Sequence, residues 1–251
     1  MSETILDKIV RHKLDEIMQM PDIKDVPLCT QNFERIFAPR PGLIAEIKAA
    51  SPSEGDIVTD FDPVAIAKAY SEGGATALSV LTDAHFFKGS FDILHRIRQM
   101  TDMPLLCKDF ILSQKQIRQA RLHGADMCLL IVKILEKDPL SALKQCIEDL
   151  GMMAVIEIQN AIELEIALSV NAQIILINNR NLESFAVDLD TSNRLAERIP
   201  EPIRVIAASG IQSPDTLSGF SKRVDGFLIG TALMRESDKI AFLRRCRALK
   251  N

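Results

Sequence analysis

Eight short apolar runs, each giving way to an amphipathic stretch, constrain this chain more than anything else in it. They cover residues 43–48, 77–81, 104–108, 127–132, 153–158, 174–177, 204–208 and 226–229. The runs are aliphatic and leave no solvated face, as expected of strands covered on both sides. Helical spacing of apolar residues follows each of them, over 63–71, 91–100, 114–122, 139–150, 161–168, 189–199, 213–220 and 240–249. The pairs Gly74-Ala75, Gly124-Ala125 and Asn171-Ala172 precede several of the runs, and Gly or Asn suits the end of a helix. Eight strand–helix repeats in 251 residues point to a closed (β/α)₈ barrel. An open doubly wound sheet is the alternative, but it usually carries a glycine-rich first turn, and here the first run leads into SPSEG.

Ahead of the barrel, residues 4–20 place Ile5, Ile9, Val10, Leu14, Ile17 and Met18 at helical spacing. The stripe Ile5, Ile9, Leu14 and Ile17 is therefore expected to dock somewhere. Residues 21–41 form a connection without a strong period. The expectation is one (β/α)₈ domain over 1–251, with 1–40 as an N-terminal helical extension.

A net charge of −4 and no basic block argue against nucleic acid and membrane surfaces as partners. Any anionic ligand must then be held by local cations. The five cysteines are scattered, without metal-ligand spacing, and read as reduced thiols. The first residues carry acids where a signal peptide needs an apolar core, and no run approaches membrane-spanning length. A cytoplasmic protein is expected, and a monomeric state is compatible with this reading.

Polar residues collect where the runs end, which in such a barrel is the catalytic face. Glu46 and Lys48 share one face of the first run, and a buried acid and base are costly unless they form a satisfied pair or open onto a site. Lys108, Glu157, Asn178 with Arg180, and Ser209 recur in the same place downstream. After runs seven and eight come Ser209-Gly210 and Gly230-Thr231, where barrels of this kind commonly bind phosphate through backbone N–H groups. The four histidines are isolated, and surface or helix positions suit them better than catalysis.

The segments AEIKAASPSEG, FFKGS, PLLCKDFI, GADMCLLIVKIL, VIEI, INNRNL, SGI and FLIGTALM occur in an order that resembles the indole-3-glycerol-phosphate synthase family over nearly the whole chain. The resemblance implies a TIM barrel and a role in tryptophan biosynthesis. The implied reaction is ring closure, decarboxylation and dehydration of 1-(2-carboxyphenylamino)-1-deoxyribulose 5-phosphate, a small anionic sugar phosphate, with neither metal nor organic cofactor. It implies Lys108 as general acid, Lys48 as carboxylate binder with a part in dehydration, and Glu157 with Glu46 as acid–base and electrostatic help. Asn178, Arg180 and Ser209 are carried over as substrate-binding, and Ser51, Gly210, Gly230 and Thr231 as phosphate contacts. Phe87 and Phe110 would wall the aromatic ring, with plain core as the competing reading. Asn179 is the weaker of its pair, because adjacent side chains on a strand point opposite ways.

Two positions depart from the resembled pattern. Ala208 stands where typical members have glutamate, ESGI, and Glu54 where they tend to have lysine or arginine. Losing a carboxylate at 208 should leave the lysines less compensated, with at least one pKa lowered by its neighbours. It also motivates an alternative, a catalytically impaired sugar-phosphate-binding barrel with a regulatory or partner role. A Schiff-base aldolase using Lys108 is a more distant option, since nothing places a proton shuttle beside such a lysine.

Overall fold

The aliphatic runs form eight parallel strands: β1 (Gly42–Ile47), β2 (Ala77–Leu81), β3 (Leu105–Lys108), β4 (Met127–Ile131), β5 (Met153–Ile158), β6 (Ile174–Asn178), β7 (Arg204–Ala208) and β8 (Gly226–Ile229). Each pairs with its chain neighbours, and β1 also pairs with β8, so the sheet closes into a TIM barrel. This computed structural model describes residues 3–38 and 40–249. Met1, Ser2 and Pro39, which the expected extension includes, and the last two residues lie outside the described residues.

Alternation along the strands produces two cores. Leu43, Ala45 and Ile47 face outward to the helices, while Ile44, Leu106, Leu129, Val155, Leu176 and Ile206 fill the barrel interior. Helices cover the outside where the sequence period says they should, and their ends carry the expected caps. Asp62 accepts from Val64 and Ala65, Ser90 from Ile93, and Gly74 closes the helix Pro63–Gly73 in the left-handed region at φ 92°. The stretch 213–220 is instead a 3₁₀ segment, Pro214–Gly219, because Pro, Asp, Thr, Ser and Gly in six residues favour a full α-helix poorly. Short pieces that periodicity could not reveal lie at the barrel mouth. These are the four-residue helix Ala84–Phe87, the helix Thr231–Arg235, and a ribbon pairing Ala50–Ser51 with Gly55–Asp56.

At the opposite, N-terminal end, two buried carboxylates gather arginines. Asp126 holds Arg98 at 2.8 Å and Arg121 at 3.3 Å, and accepts from the Leu105 N–H. Asp225 holds Arg40 at 2.6 Å and Arg223 at 3.1 Å, and accepts from the Val205 N–H. These contacts tie the strand starts together and lie away from the polar strand ends.

The leading helix, Ile5–Gln19, starts on a capping box between Thr4 and Asp7 and lies across the barrel mouth. Its docking face differs from the one its apolar stripe suggests. Leu6, Ile9 and Lys13 are buried, whereas Leu14 is 51% exposed and Met18 74%. Lys13, only 1% exposed, overrides the stripe because three carboxylates receive it: Glu16 at 2.6 Å, Asp83 at 2.9 Å and Asp109 at 3.0 Å. Burial alone would push the Lys13 pKa down, yet Asp109, Asp83 and Glu16 together hold it above the ordinary lysine value. Asp109 also accepts from the Thr82 hydroxyl at 2.6 Å, and Asp83 accepts from the N–H groups of Phe86 and Phe87. One ammonium thus joins the helix to the loops after β2 and β3.

Removing one partner of a buried ion pair costs about 3–5 kcal/mol, because the other charge stays buried. Lys13→Met should therefore lower the melting temperature by roughly 6–20 °C, at about 2–4 °C per kcal/mol for a chain of this size. Leu14→Ala should leave it nearly unchanged, and deletion through Met20 should also raise the Michaelis constant. Thermal unfolding followed by circular dichroism checks this, and equal melting temperatures for Lys13→Met and Leu14→Ala would remove Lys13 from the docking role.

Candidate active site

The register shows which strand-end side chains share a level. Glu46 stands opposite Ser79, and Ser79 opposite Leu106. Strand tilt in an eight-stranded barrel advances the level by about two residues for every second strand, so Lys108 comes level with Glu46. The same step leads from Lys108 to Glu157, then to Ala208, and back to Glu46. The top interior layer of the odd strands is thus Glu46, Lys108, Glu157 and Ala208. Three of the four members carry charge.

Above this layer opens a cavity of about 1060 Å³. All of the site residues expected from the sequence line it: Glu46, Lys48, Ser51, Phe87, Lys108, Phe110, Glu157, Asn178, Arg180, Ser209, Gly210, Gly230 and Thr231. Asn179 does not. Its Oδ1 accepts from the Ser192 N–H and hydroxyl, so it fastens β6 to the following helix, as alternation requires.

Two acid–base pairs form the floor. Lys48 Nζ lies 2.8 Å from Glu46 Oε1, and Lys108 Nζ lies 3.7 Å from Glu157 Oε2. Burial pushes the Glu46 pKa up, but Lys48 and Lys108 outweigh it and hold the carboxyl below its ordinary value. Glu157 is oriented from its other oxygen, which accepts from Asn178 Nδ2 at 3.0 Å. Asn178 is itself fixed, because its Oδ1 accepts from the Arg180 N–H at 3.0 Å. Glu157 Oε2 is buried and has no hydrogen-bond partner among the described residues, which is costly unless a ligand supplies one. Where the carboxylate at 208 is missing, Glu46 and Glu157 compensate the two lysines in part. Each lysine faces a buried acid.

Phe87 and Phe110 make one wall, their ring centroids 6.0 Å apart, and Phe87 rides on the short helix that Asp83 caps. At the other end, Ser209 and Gly210 adopt φ 67° and 81° after β7. A side chain at Gly210 would run into Val187 and Leu189. At Gly230 it would collide with the Glu46 carboxylate and crowd Lys48, so this glycine is the space in which the pair sits.

The family model described as indole-3-glycerol phosphate synthase matches residues 6–246. The chain belongs to the indole-3-glycerol phosphate synthase family. It is 43% identical over 253 residues to an indole-3-glycerol phosphate synthase of Rippkaea orientalis, covering 93% of this chain and 86% of that one. With the enzyme of the same name from Lachnoclostridium phytofermentans it shares 44% over 220 residues, 86% of this chain and 81% of the other. Among solved structures, KGPDC from Streptococcus mutans superposes with a TM-score of 0.63 at 15% identity, covering 89% of this chain and 97% of that one, which speaks for the barrel alone.

Several lining residues escaped the sequence reading: Ile5, Leu6 and Ile9 from the leading helix, Val187 and Leu189 from the loop after β6, and Arg235. Ile5 and Ile9 read from the sequence only as part of a docking stripe, and Leu6, Val187 and Leu189 are aliphatic and look like core, so nothing marked them as lining.

Ala208 is buried at a layer position whose neighbours in register are Asn178 and Leu228. Ala208→Glu adds a carboxylate on the same level as Lys108, which favours the charged lysine. The alkaline limb of the rate profile should move to higher pH, with turnover at least as fast if the longer side chain fits. Slower turnover with unchanged folding and an unmoved limb would show that another group fills this role.

Proposed function

We propose that this chain is an indole-3-glycerol-phosphate synthase, a carboxy-lyase of tryptophan biosynthesis. It converts 1-(2-carboxyphenylamino)-1-deoxyribulose 5-phosphate to indole-3-glycerol phosphate, carbon dioxide and water. The observation that carries this reading is the Lys108–Glu157 pair, opposed across 3.7 Å through a buried oxygen that accepts no hydrogen bond among the described residues, on the floor of a cavity that ends on two glycine loops.

Ring closure joins the aromatic carbon bearing the carboxylate to the ketone carbon. Lys108, as general acid, gives its proton to the ketone oxygen as that bond forms. Carbon dioxide then leaves, returning its bonding electrons to the ring. The new hydroxyl departs as water with a proton supplied at the site, and the neighbouring CH2 of the new ring gives up a proton to a base there, so that the ring double bond forms. Glu157 and Glu46 act as acid–base and electrostatic partners in these steps. Lys48 holds the substrate carboxylate and serves the dehydration. Asn178 and Arg180 orient the substrate with Ser209, while Phe87 and Phe110 wall the aromatic ring. Ser51, Gly210, Gly230 and Thr231 receive the phosphate, so that remote binding energy positions the reacting end.

The chain is read as one barrel domain over 1–251 with 1–40 as its extension. Five buried, unpaired thiols support a reducing compartment, the cytoplasm. No helix among the described residues is long and apolar enough to cross a membrane. Ala208 favours one other reading, a barrel that binds the sugar phosphate without turning it over, and a direct assay of indole-3-glycerol phosphate formation separates the two.

Lys108→Ala should fold and bind substrate while ring closure slows by about 10²–10⁴-fold, the usual contribution of a general acid. Single-turnover kinetics measure this. Less than a tenfold loss would take Lys108 out of the acid's role.

A further inference from the structure

At the rim of the same cavity, Arg235 NH2 donates to Glu54 Oε2 at 2.8 Å, bridging the helix after β8 and the ribbon after β1. Arg235 follows Thr231 by four residues on its helix, so the two side chains share a face, and both line the cavity. Glu54 belongs to the turn that carries Ser51, and its N–H donates to the Ser51 carbonyl at 3.3 Å. The ion pair therefore spans the two segments that offer Ser51 and Thr231 to the phosphate.

Three observations suggest that this pair does more than decorate the surface. A guanidinium has five donors, and only NH2 is engaged here; Nε and NH1 have no protein partner among the described residues. The pair is partly exposed, with the Arg235 and Glu54 side chains at 52% and 26%, and such pairs add little to stability. Lys48 and Lys108, by contrast, face the buried acids Glu46 and Glu157. A lone carboxylate beside a phosphate pocket would repel the ligand, whereas a guanidinium fork is well shaped to receive phosphate. The charge at position 54 is the reverse of the resembled pattern, and a cation stands opposite it.

We propose that Arg235 is a phosphate-binding residue held in reserve by Glu54. The incoming phosphate, with the greater negative charge, takes over the guanidinium, and the Glu54 carboxylate is released to water. No bond other than hydrogen bonds is exchanged. This inference rests on the phosphate assignment given under Proposed function.

The test is a double-mutant cycle on the full chain with Glu54→Gln, Arg235→Gln and both together. Inorganic phosphate binding is measured by calorimetry, and steady-state kinetics are run with the sugar-phosphate substrate. Arg235→Gln should weaken phosphate binding by roughly 10- to 100-fold, the worth of a hydrogen bond to a charged group, with the kinetic change falling mainly on KM. Arg235→Lys should recover part of the loss. Glu54→Gln should tighten phosphate severalfold, and that gain should shrink when Arg235 is already glutamine. Unchanged phosphate affinity in Arg235→Gln, or an equal gain from Glu54→Gln in both backgrounds, overturns the partner exchange while leaving the phosphate loops in place. If phosphate does not compete with substrate even in the unaltered protein, the phosphate assignment fails and the inference falls with it.

Discussion

The mouth of this barrel depends on one buried ammonium. Lys13 reaches from the leading helix into a position where three carboxylates surround it, and two of those carboxylates do further structural work. Asp109 directly follows Lys108 and takes the Thr82 hydroxyl, while Asp83 caps the short helix bearing Phe87. Neither acid would tolerate its dry surroundings without the lysine. The helix is thereby joined to the loop that carries the proposed acid and to the wall that faces the proposed aromatic ring.

Charge is distributed differently at the two ends of the barrel. At the strand starts, Asp126 and Asp225 are buried, satisfied by arginines and backbone N–H groups, and closed to ligands. At the strand ends, Glu157 keeps one oxygen that accepts no hydrogen bond among the described residues and faces a lysine 3.7 Å away. The first arrangement has no capacity left for a substrate. The second does, and the difference favours the strand-end cavity as the candidate site although both ends are rich in acids and bases.

Strand positions were legible in the sequence almost to the residue, because aliphatic runs broken by helical periods leave little choice of element. So were the polar side chains at the strand ends, whose types stand out against apolar surroundings; Glu46, Lys108, Glu157 and Asn178 all line one cavity. The docking face of the leading helix was not legible. Hydropathy favours burying Leu14 and exposing Lys13, and only the acids on distant loops reverse that preference. The helices Ala84–Phe87 and Thr231–Arg235 are too short to show a period, and the pairing of Glu54 with Arg235 joins residues from opposite ends of the chain. Tertiary partners of this kind leave no local trace.

Closure of the barrel through β1 and β8 bears on how the protein is made. During synthesis β1 is the first strand of the barrel to emerge, but the partner for its second edge is the last of the eight. Until then a hydrophobic strand edge remains open, the condition under which nascent chains aggregate or recruit chaperones. Gly230, beneath which the Glu46–Lys48 pair sits, arrives with that final strand. The pocket around that pair is therefore incomplete until β8 has been made, and a barrel truncated before β8 would have most of its helices and no finished mouth.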